Sequence, residues 1–172
     1  MTTIAATRKM MAADSRVIVD ESSYLSPKLV VFSDAIVGAA GDTEACHLFF
    51  EWWQNRETAE LVIPKGLDVE ALVLTKEGLY RYGKHFQPDV IMDGVMAIGS
   101  GQAIALASMD TMIHLNIEPD PRIAVEIACK RNPGSGLPVD FMTTDQIKKV
   151  AVVKSAMQPT AKKQTAKTRR RK

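Results

Sequence analysis

The sequence has little that points to a membrane or to an oxidising compartment. No apolar run approaches the roughly 18 residues of a membrane-spanning helix, and the first residues, MTTI, show no basic segment followed by a long apolar stretch. We therefore expect neither a spanning helix nor a secretory signal. Cys46 and Cys129 form neither a CxxC pair nor a disulfide framework, which is typical of a reducing compartment. The expectation is a cytoplasmic protein without membrane contact, whose two cysteines are small buried hydrophobic residues.

The motifs of several common enzyme classes are also missing. His47, His85 and His114 are scattered, and no HExxH or Cys/His spacing brings ligands together, so we expect no metal site. There is no GxSxG elbow of a serine hydrolase. The Gly-Ser-Gly at 99–101 lacks the third glycine of a dinucleotide fingerprint, and no P-loop motif is present. It is either a phosphate-binding loop or a turn that caps the next helix, and we expect no cofactor.

Charge separates the chain into a body and a tail. Residues 155–172 contain seven Lys or Arg and no acid, whereas residues 1–154 carry 15 basic and 20 acidic residues. A tail with so little apolar content is expected to be disordered. The 46% hydrophobic content of the chain is that of a globular protein, and residues 1–154 are predicted to form a single domain. The tail alone supports a non-enzymatic alternative, a nucleic-acid-binding protein.

Hydrophobic periodicity predicts short strands and three helices. Strands are predicted at Thr3–Thr7, Met10–Ala13, Val17–Val19, Leu29–Phe32, Ile36–Ala39, Ala71–Thr75, Leu79–Tyr82, Val95–Ile98, Val139–Thr143 and Ile147–Val153. Helices are predicted from Thr43 to about Leu61, from Gln102 to about Asn116 and from Pro121 to about Lys130. This order lacks the regular alternation of a doubly wound parallel fold. It predicts an α+β sandwich of sheets and helices.

The second residue is the clearest candidate for chemistry. Thr2 is small enough to permit removal of the initiator Met, after which the chain would begin with a threonine at the start of a predicted strand. A terminal threonine combines a hydroxyl nucleophile with an amine whose reference pKa is about 8. Because that amine can act as the base for the hydroxyl, no distant histidine is needed.

Six short segments support this hypothesis when they are taken together. They are Thr2-Thr3-Ile4-Ala5, Ala13-Asp14-Ser15-Arg16, Lys28 before the strand Leu29–Phe32, Gly38-Ala39-Ala40-Gly41, Ala97-Ile98-Gly99-Ser100-Gly101 and Arg131-Asn132-Pro133-Gly134-Ser135-Gly136. In this order and at about this spacing, they resemble the N-terminal threonine proteases, the family of proteasome β subunits and the bacterial HslV peptidase. The resemblance covers most of the body and implies the αββα sandwich of N-terminal-nucleophile hydrolases, which agrees with the order of predicted elements.

The resemblance implies roles for seven residues. Thr2 would be the nucleophile, Lys28 the cation beside it and Asp14 the partner that holds Lys28. An ammonium near the terminal amine lowers the amine pKa and favours loss of the hydroxyl proton, and the carboxylate keeps the buried charge paired. The supporting residues are Gly41, whose N–H would face the oxyanion, and Ser100, Asn132 and Ser135 near the terminal amine. Without the resemblance, Asp14 and Lys28 are an ordinary ion pair, and Gly41 and the two serines are turn or cap residues.

The chain departs from the family pattern in three places. Asn132 stands where many proteasome subunits have Asp. The first hairpin, between Thr2 and Asp14, is shorter than in the family. Gly41 is followed by Asp42-Thr43-Glu44-Ala45 in place of Gly-x-Ala-Asp. The chain length is similar to that of HslV or of the small β-proteobacterial proteasome homologues, and less similar to that of Anbu-type proteins.

The resemblance also implies where a peptide substrate binds. The peptide would add as a strand between segments near Val17–Ile18 and Ala39–Gly41. Ala39 would form the floor of the first specificity pocket, flanked by Val17, Ser26 and Val30. Because these side chains are small and mainly apolar, we expect hydrophobic or aromatic side chains to be preferred at the cleaved bond.

Assembly follows from the same resemblance. Family members enclose their active sites, which implies a homo-oligomer of stacked hexameric or heptameric rings, unfolded polypeptide substrates and a partner ATPase unfoldase. The apolar helix with Trp52 and Trp53 and the Ala/Met-rich helix Gln102–Asn116 offer packing faces. We interpret the tryptophans as core or subunit contacts rather than a ligand cage. A second alternative keeps the fold but assigns a different amide as substrate, as in other N-terminal-nucleophile hydrolases.

Overall fold

The computed structural model describes residues 1–57 and 67–147. The basic tail lies outside the described residues, and so do residues 58–61 of the first predicted helix and all of the last predicted strand except Ile147. No helix in the described ranges is long and apolar enough to cross a membrane.

The described chain has six strands, a helix, four strands, two helices and a last strand, and every predicted element that lies in the described ranges appears in the predicted order. The strands are β1 Thr3–Thr7, β2 Met10–Asp14, β3 Arg16–Val19, β4 Ser22–Leu25, β5 Leu29–Val31, β6 Ala35–Gly41, β7 Val69–Thr75, β8 Leu79–Tyr82, β9 Pro88–Val90, β10 Val95–Gly99 and β11 Val139–Thr143. The helices are α1 Thr43–Asn55, α2 Gln102–His114 and α3 Pro121–Arg131, and a 3₁₀ turn, Thr144–Gln146, follows β11.

Three details differ from the sequence-based expectation. Helix α1 ends at Asn55, earlier than the predicted Leu61. Strands β4 and β9 were not predicted, because they are exposed along their whole length and have no buried face to produce apolar alternation. Cys46 and Cys129 are free but only half-buried, since each lies at the margin of a helix-to-sheet cluster.

Two antiparallel sheets form the centre of the molecule. One has the strand order β10-β1-β2-β11, and the other has the order β5-β6-β7-β8-β9, while β3 and β4 form a separate ribbon. In the first sheet β1 is a central strand, with Thr3 opposite Gly99 on β10 and Ile4 opposite Ala13 on β2. The start of the chain is therefore fixed on both sides by backbone pairing.

The sheets and helices pack in four layers. Ile4, Met11, Ile36, Leu72 and Ile98 belong to a buried cluster that joins the two sheets. The outer face of the first sheet packs on α2 and α3 through small residues, including Ala5, Ala12, Ala105, Ala124 and Ala128. The outer face of the second sheet packs on α1. The predicted α+β sandwich with αββα layers is confirmed.

Alternation along β6 shows how one strand serves two layers. Ile36 and Ala40 join the cluster between the sheets, whereas Val37 and Ala39 join the cluster under α1, as expected from the two-residue period of a strand. Phe49 of α1 is fully buried in that second cluster. Trp53 is 5% exposed and also belongs to it, so its interpretation as a core residue is confirmed.

Candidate active site

Thr2 lies at the first position before β1, half-buried. Its carbonyl oxygen accepts a hydrogen bond of 2.7 Å from the backbone N–H of Ser100 and one of 3.3 Å from the Ser100 hydroxyl. Thr3, the next residue, is completely buried. The chain start is thus held at the end of the sheet from which the turn between β10 and α2 leaves.

Glycines allow this turn to approach the chain start. Gly99 has a φ of +85°, and a Cβ there would overlap the Thr2 carbonyl. A Cβ at Gly101 would overlap the hydroxyl of Thr3. The Gly-Ser-Gly at 99–101 is therefore a close-packed turn before α2, and its glycines make room for residues 2 and 3.

Asp14 ends β2 with a wholly buried carboxylate. Its Oδ1 accepts from the backbone N–H of Thr3 at 2.8 Å and from the Lys28 ammonium at 2.9 Å. Its Oδ2 accepts from the backbone N–H of Gly136 at 3.0 Å. Three donors from separate parts of the chain therefore converge on one buried anion, which satisfies the strong demand of such a group for partners.

Lys28 supplies the cation of this buried pair, and only 8% of its side chain is exposed. Besides Asp14, its Nζ donates to the carbonyl of Arg16 at 2.8 Å and to the carbonyl of Met1 at 3.1 Å. Burial lowers the pKa of Lys28, and the hydrogen bond and charge of Asp14 oppose that shift. The ammonium therefore lies beside the peptide bond that joins Met1 to Thr2.

The loop after α3 contains two further predicted residues, and one of them contacts the start of β1. Ser135 is buried, and its Oγ lies 2.5 Å from the Oγ1 of Thr3. The Oδ1 of Asn132 accepts from the backbone N–H of Gly134 at 2.8 Å. Ser135 thus contacts the residue after Thr2, while Asn132 shapes the loop itself.

Gly41 ends β6 on the neighbouring sheet. Its φ is +134°, and a Cβ there would overlap the carbonyl of Asp68, so the close approach of β7 requires glycine at this position. A Cβ added to Gly99 would lie 3.4 Å from the Cβ of Ala40. The end of β6 therefore reaches the turn that holds Thr2.

The predicted substrate-binding residues occupy different environments. Ala39 is 6% exposed and packs in the cluster under α1. Val17 and Ile18 lie on the β3–β4 ribbon, half-buried and exposed respectively. The backbone N–H of Ser26 donates to the carbonyl of Ser15 at 2.8 Å, next to Asp14, and Val30 is half-buried on β5.

Sequence reasoning left Arg16 without a role, although it is the last residue of the Ala-Asp-Ser-Arg segment. Its Nη2 donates to the carbonyls of Pro133 and Ser135 at 2.6 and 2.5 Å. The segment itself was the available signal, because a residue two positions after Asp14 must lie near the same loop. No group of three or more His, Cys, Asp or Glu side chains in residues 1–57 and 67–147 is arranged to hold a metal ion.

The chain is similar to known proteins in its three-dimensional structure and not detectably in its sequence. No family model matches the chain, and no curated protein matches it. HslV from Trypanosoma brucei superposes with a TM-score of 0.67 at 21% identity, covering 82% of this chain and 98% of that one. Thiobacillus denitrificans BPH superposes with a TM-score of 0.63 at 18% identity, covering 82% and 96%. The chain has the N-terminal-nucleophile hydrolase fold. All these identities are low, so they establish the fold alone.

A third solved structure has the same fold. The Anbu (Gly-1) mutant from Hyphomicrobium sp. strain MC1 superposes with a TM-score of 0.64 at 13% identity, and the match covers 83% of this chain and 81% of that one.

Proposed function

We propose that the chain is a threonine-type endopeptidase whose nucleophile is the hydroxyl of Thr2. The observation that carries the proposal is the buried Lys28–Asp14 pair at the chain start, with the Lys28 Nζ 3.1 Å from the carbonyl of Met1. This proximity supports the proposal, because in a chain without Met1 the ammonium would lie beside the terminal threonine. Removal is required, since a retained Met turns the amine of Thr2 into an amide and abolishes the base.

The proposed reaction uses both groups of the terminal threonine. The Thr2 amine takes the proton of the hydroxyl, and Oγ attacks the carbonyl carbon of the substrate amide. Lys28 stabilises the developing alkoxide, and the backbone N–H of Gly41 stabilises the tetrahedral oxyanion. The C–N bond then breaks, the leaving amine takes the proton, and an ester on Thr2 remains. Water attacks this ester and passes a proton to the Thr2 amine. The amine returns this proton to Oγ as the C–O bond breaks, which restores the hydroxyl and releases the acyl group as a carboxylic acid.

The other candidate residues have supporting roles in this proposal. Asp14 keeps Lys28 in place. Ser100 fixes the carbonyl of Thr2 through the hydrogen bonds described above. Ser135 acts through Thr3, and Asn132 acts through the shape of its loop. This assignment explains why the fold places a buried ion pair at the chain start, where an ion pair gives little stability relative to apolar packing.

We further propose that substrates are unfolded polypeptides bound as a strand between Val17–Ile18 and Ala39–Gly41, with apolar side chains preferred at the cleaved bond. BPH has been crystallised with epoxomicin. If the two proteins share a site, epoxomicin inhibits this chain. The small, mainly apolar residues of the proposed pocket lead to a separate expectation: a peptide library should show no preference for acidic residues before the cleaved bond.

Assembly into stacked hexameric or heptameric rings belongs to the same proposal, together with a partner ATPase. Exposed apolar residues at the end of α2 support a subunit contact: Ile113, Leu115 and Ile117 are 45%, 59% and 55% exposed. Native mass spectrometry tests this, and a stable monomer would contradict it. The nucleic-acid-binding alternative depends on the tail outside the described residues.

The deciding experiment compares hydrolysis of casein and of a fluorogenic peptide by the Met1-free chain and its variants. Thr2→Ala should lose all activity, whereas Thr2→Ser should retain part of it. Thr111→Val is the matched control, because it removes an exposed threonine hydroxyl that donates only to the Ala107 carbonyl within α2. It should keep measurable activity that Thr2→Ala lacks. Full activity in Thr2→Ala would refute the proposal, and cleavage of small amides without casein digestion would favour another amidohydrolase.

A further inference from the structure

Arg16 has an unusual set of partners for a charged side chain. Its guanidinium donates to two backbone carbonyls, those of Pro133 and Ser135. No carboxylate in the described residues lies within ion-pair distance of it. Its Nε is buried and has no hydrogen-bond partner among the described residues. The guanidinium is thus held against the loop by two backbone carbonyls and by no carboxylate of the described residues, although a carboxylate would form stronger hydrogen bonds with it.

Gly136 is shaped to receive this guanidinium. A Cβ at Gly136 would lie 2.6 Å from the Arg16 Cζ and would overlap its Nε. The φ of Gly136 is outside the left-handed region, so its backbone does not require glycine. The absence of a side chain at this position is therefore explained by the contact with Arg16.

The loop held in this way contacts β1 and β2. Ser135 lies against the hydroxyl of Thr3 at the start of β1, and Gly136 donates to Asp14 at the end of β2. We propose that Arg16 is a positioning residue that fixes the loop of residues 132–136 against the N-terminal strand. The kinetic consequence of this inference rests on the proposed peptidase function, whereas the loop contact itself does not.

Arg16 also faces the Lys28 site as a charge. The groups that act on the Lys28 ammonium are Asp14, Arg16 and the thiol of Cys129, and the positive charge of Arg16 lowers the pKa of Lys28. Loss of this charge should raise the pKa of Lys28. If the loss of the Lys28 proton sets the alkaline limb of the kcat/KM profile, that limb should move to higher pH. Arg16→Lys should leave the limb in place, because lysine keeps the charge. Its side chain ends one bond short of Nη2, the nitrogen that donates to both carbonyls, so the loop contact should be weakened.

The experiment uses the assembled, Met1-free chain with Arg16→Met, Arg16→Lys and Gly136→Ala. Gly136→Ala keeps every atom of Arg16 but displaces it. Matched controls are Arg8→Met, which removes a guanidinium bonded to the carbonyl of Met92 at an exposed turn, and Gly83→Ala, whose Cβ would meet nothing within 4 Å. The readouts are kcat, KM, the pH profile and amide hydrogen exchange of residues 132–136.

We expect Arg16→Met and Gly136→Ala to lower kcat by about 10-fold to 100-fold, with a smaller change in KM. Exchange of the loop amides should become faster in both, while the amides between β1 and β10 keep their protection. The alkaline limb should shift in Arg16→Met and stay in Arg16→Lys. A double variant, Arg16→Met with Gly136→Ala, should be no worse than Arg16→Met alone, because both changes remove the same contact.

Unchanged loop exchange in Arg16→Met and Gly136→Ala would overturn the inference, as would kcat within twofold of wild type or additive effects in the double variant. If the wild-type chain hydrolyses no peptide, the proposed function fails while the exchange measurement still decides the role of Arg16. If Arg16→Met does not fold, Gly136→Ala gives the same test with Arg16 intact.

Discussion

Asp14→Asn is the perturbation whose energetic effect the structure defines best. The change removes the negative charge beside Lys28 and replaces one carboxylate oxygen by an NH₂ group. In one orientation this group faces the N–H of Thr3 and the Lys28 ammonium, and in the other it faces the N–H of Gly136. Leaving a buried charge without its partner costs about 3–5 kcal/mol of unfolding free energy. Facing two donors toward each other adds about 1–3 kcal/mol. At pH 7 we therefore expect a loss of about 4–8 kcal/mol.

The first part of this cost should depend on pH. Lys28 can escape its unpaired charge by losing a proton, and for a usual lysine pKa of 10.5 this costs about 5 kcal/mol at pH 7 but only about 2 kcal/mol at pH 9. In the variant, the folded state then binds fewer protons than the unfolded state, so its stability rises with pH. The destabilisation should shrink by about 2 kcal/mol between pH 7 and pH 9.

Urea unfolding of the wild type and of Asp14→Asn measures this difference. Both proteins are compared at one fixed concentration, because self-association would shift apparent stability. Glu118→Gln is the control, since it breaks a Lys9–Glu118 pair whose side chains are 79% and 74% exposed. It should have little effect at either pH. A loss below about 1 kcal/mol in Asp14→Asn, or equal losses at pH 7 and pH 9, would refute the reasoning about the buried pair.

Other predictions concern the core and the thiols. Gly38→Ala should lower the unfolding free energy by about 1–3 kcal/mol, because a Cβ there would lie 2.8 Å from Leu29 Cδ2 and 3.0 Å from Ile4 Cδ1; urea unfolding measures it, and a neutral or stabilising effect contradicts the packing. Burial raises the pKa values of the Cys46 and Cys129 thiols to about 11. Their alkylation by iodoacetamide should therefore be slow near pH 7.5 and increase steadily through pH 10, and rapid reaction at neutral pH would be inconsistent with this burial.

Much of the fold could be predicted from the sequence because its core strands are short apolar runs separated by polar or glycine-containing turns. Strand β6 is apolar on both faces, and the Gly99 and Gly101 pair marks the turn before α2. The exposed strands β4 and β9 could not be predicted, since neither has a buried face. The end of α1 was also misplaced, because apolar residues continue past Asn55 and periodicity alone does not show where packing stops.

The candidate site divides in the same way. The resemblance placed Asp14 and Lys28 on separate segments, and the structure brings them to 2.9 Å of each other. The contact of Ser135 with Thr3, rather than with Thr2, depends on side-chain directions that no motif encodes. The segment that contains Asp14 indicated where Arg16 lies, but its partners are the backbone carbonyls of Pro133 and Ser135, which no side-chain motif identifies.

The measurement that tests the central claim most directly is mass spectrometry of an acid-quenched single turnover with an activated peptide substrate. The account predicts a purified chain that begins at Thr2 and an N-terminal fragment that gains the mass of the acyl group. Thr2→Ala should gain none. A chain that keeps Met1 in cells, or an acyl group found on another residue during turnover, would contradict the assignment of Thr2 as the nucleophile.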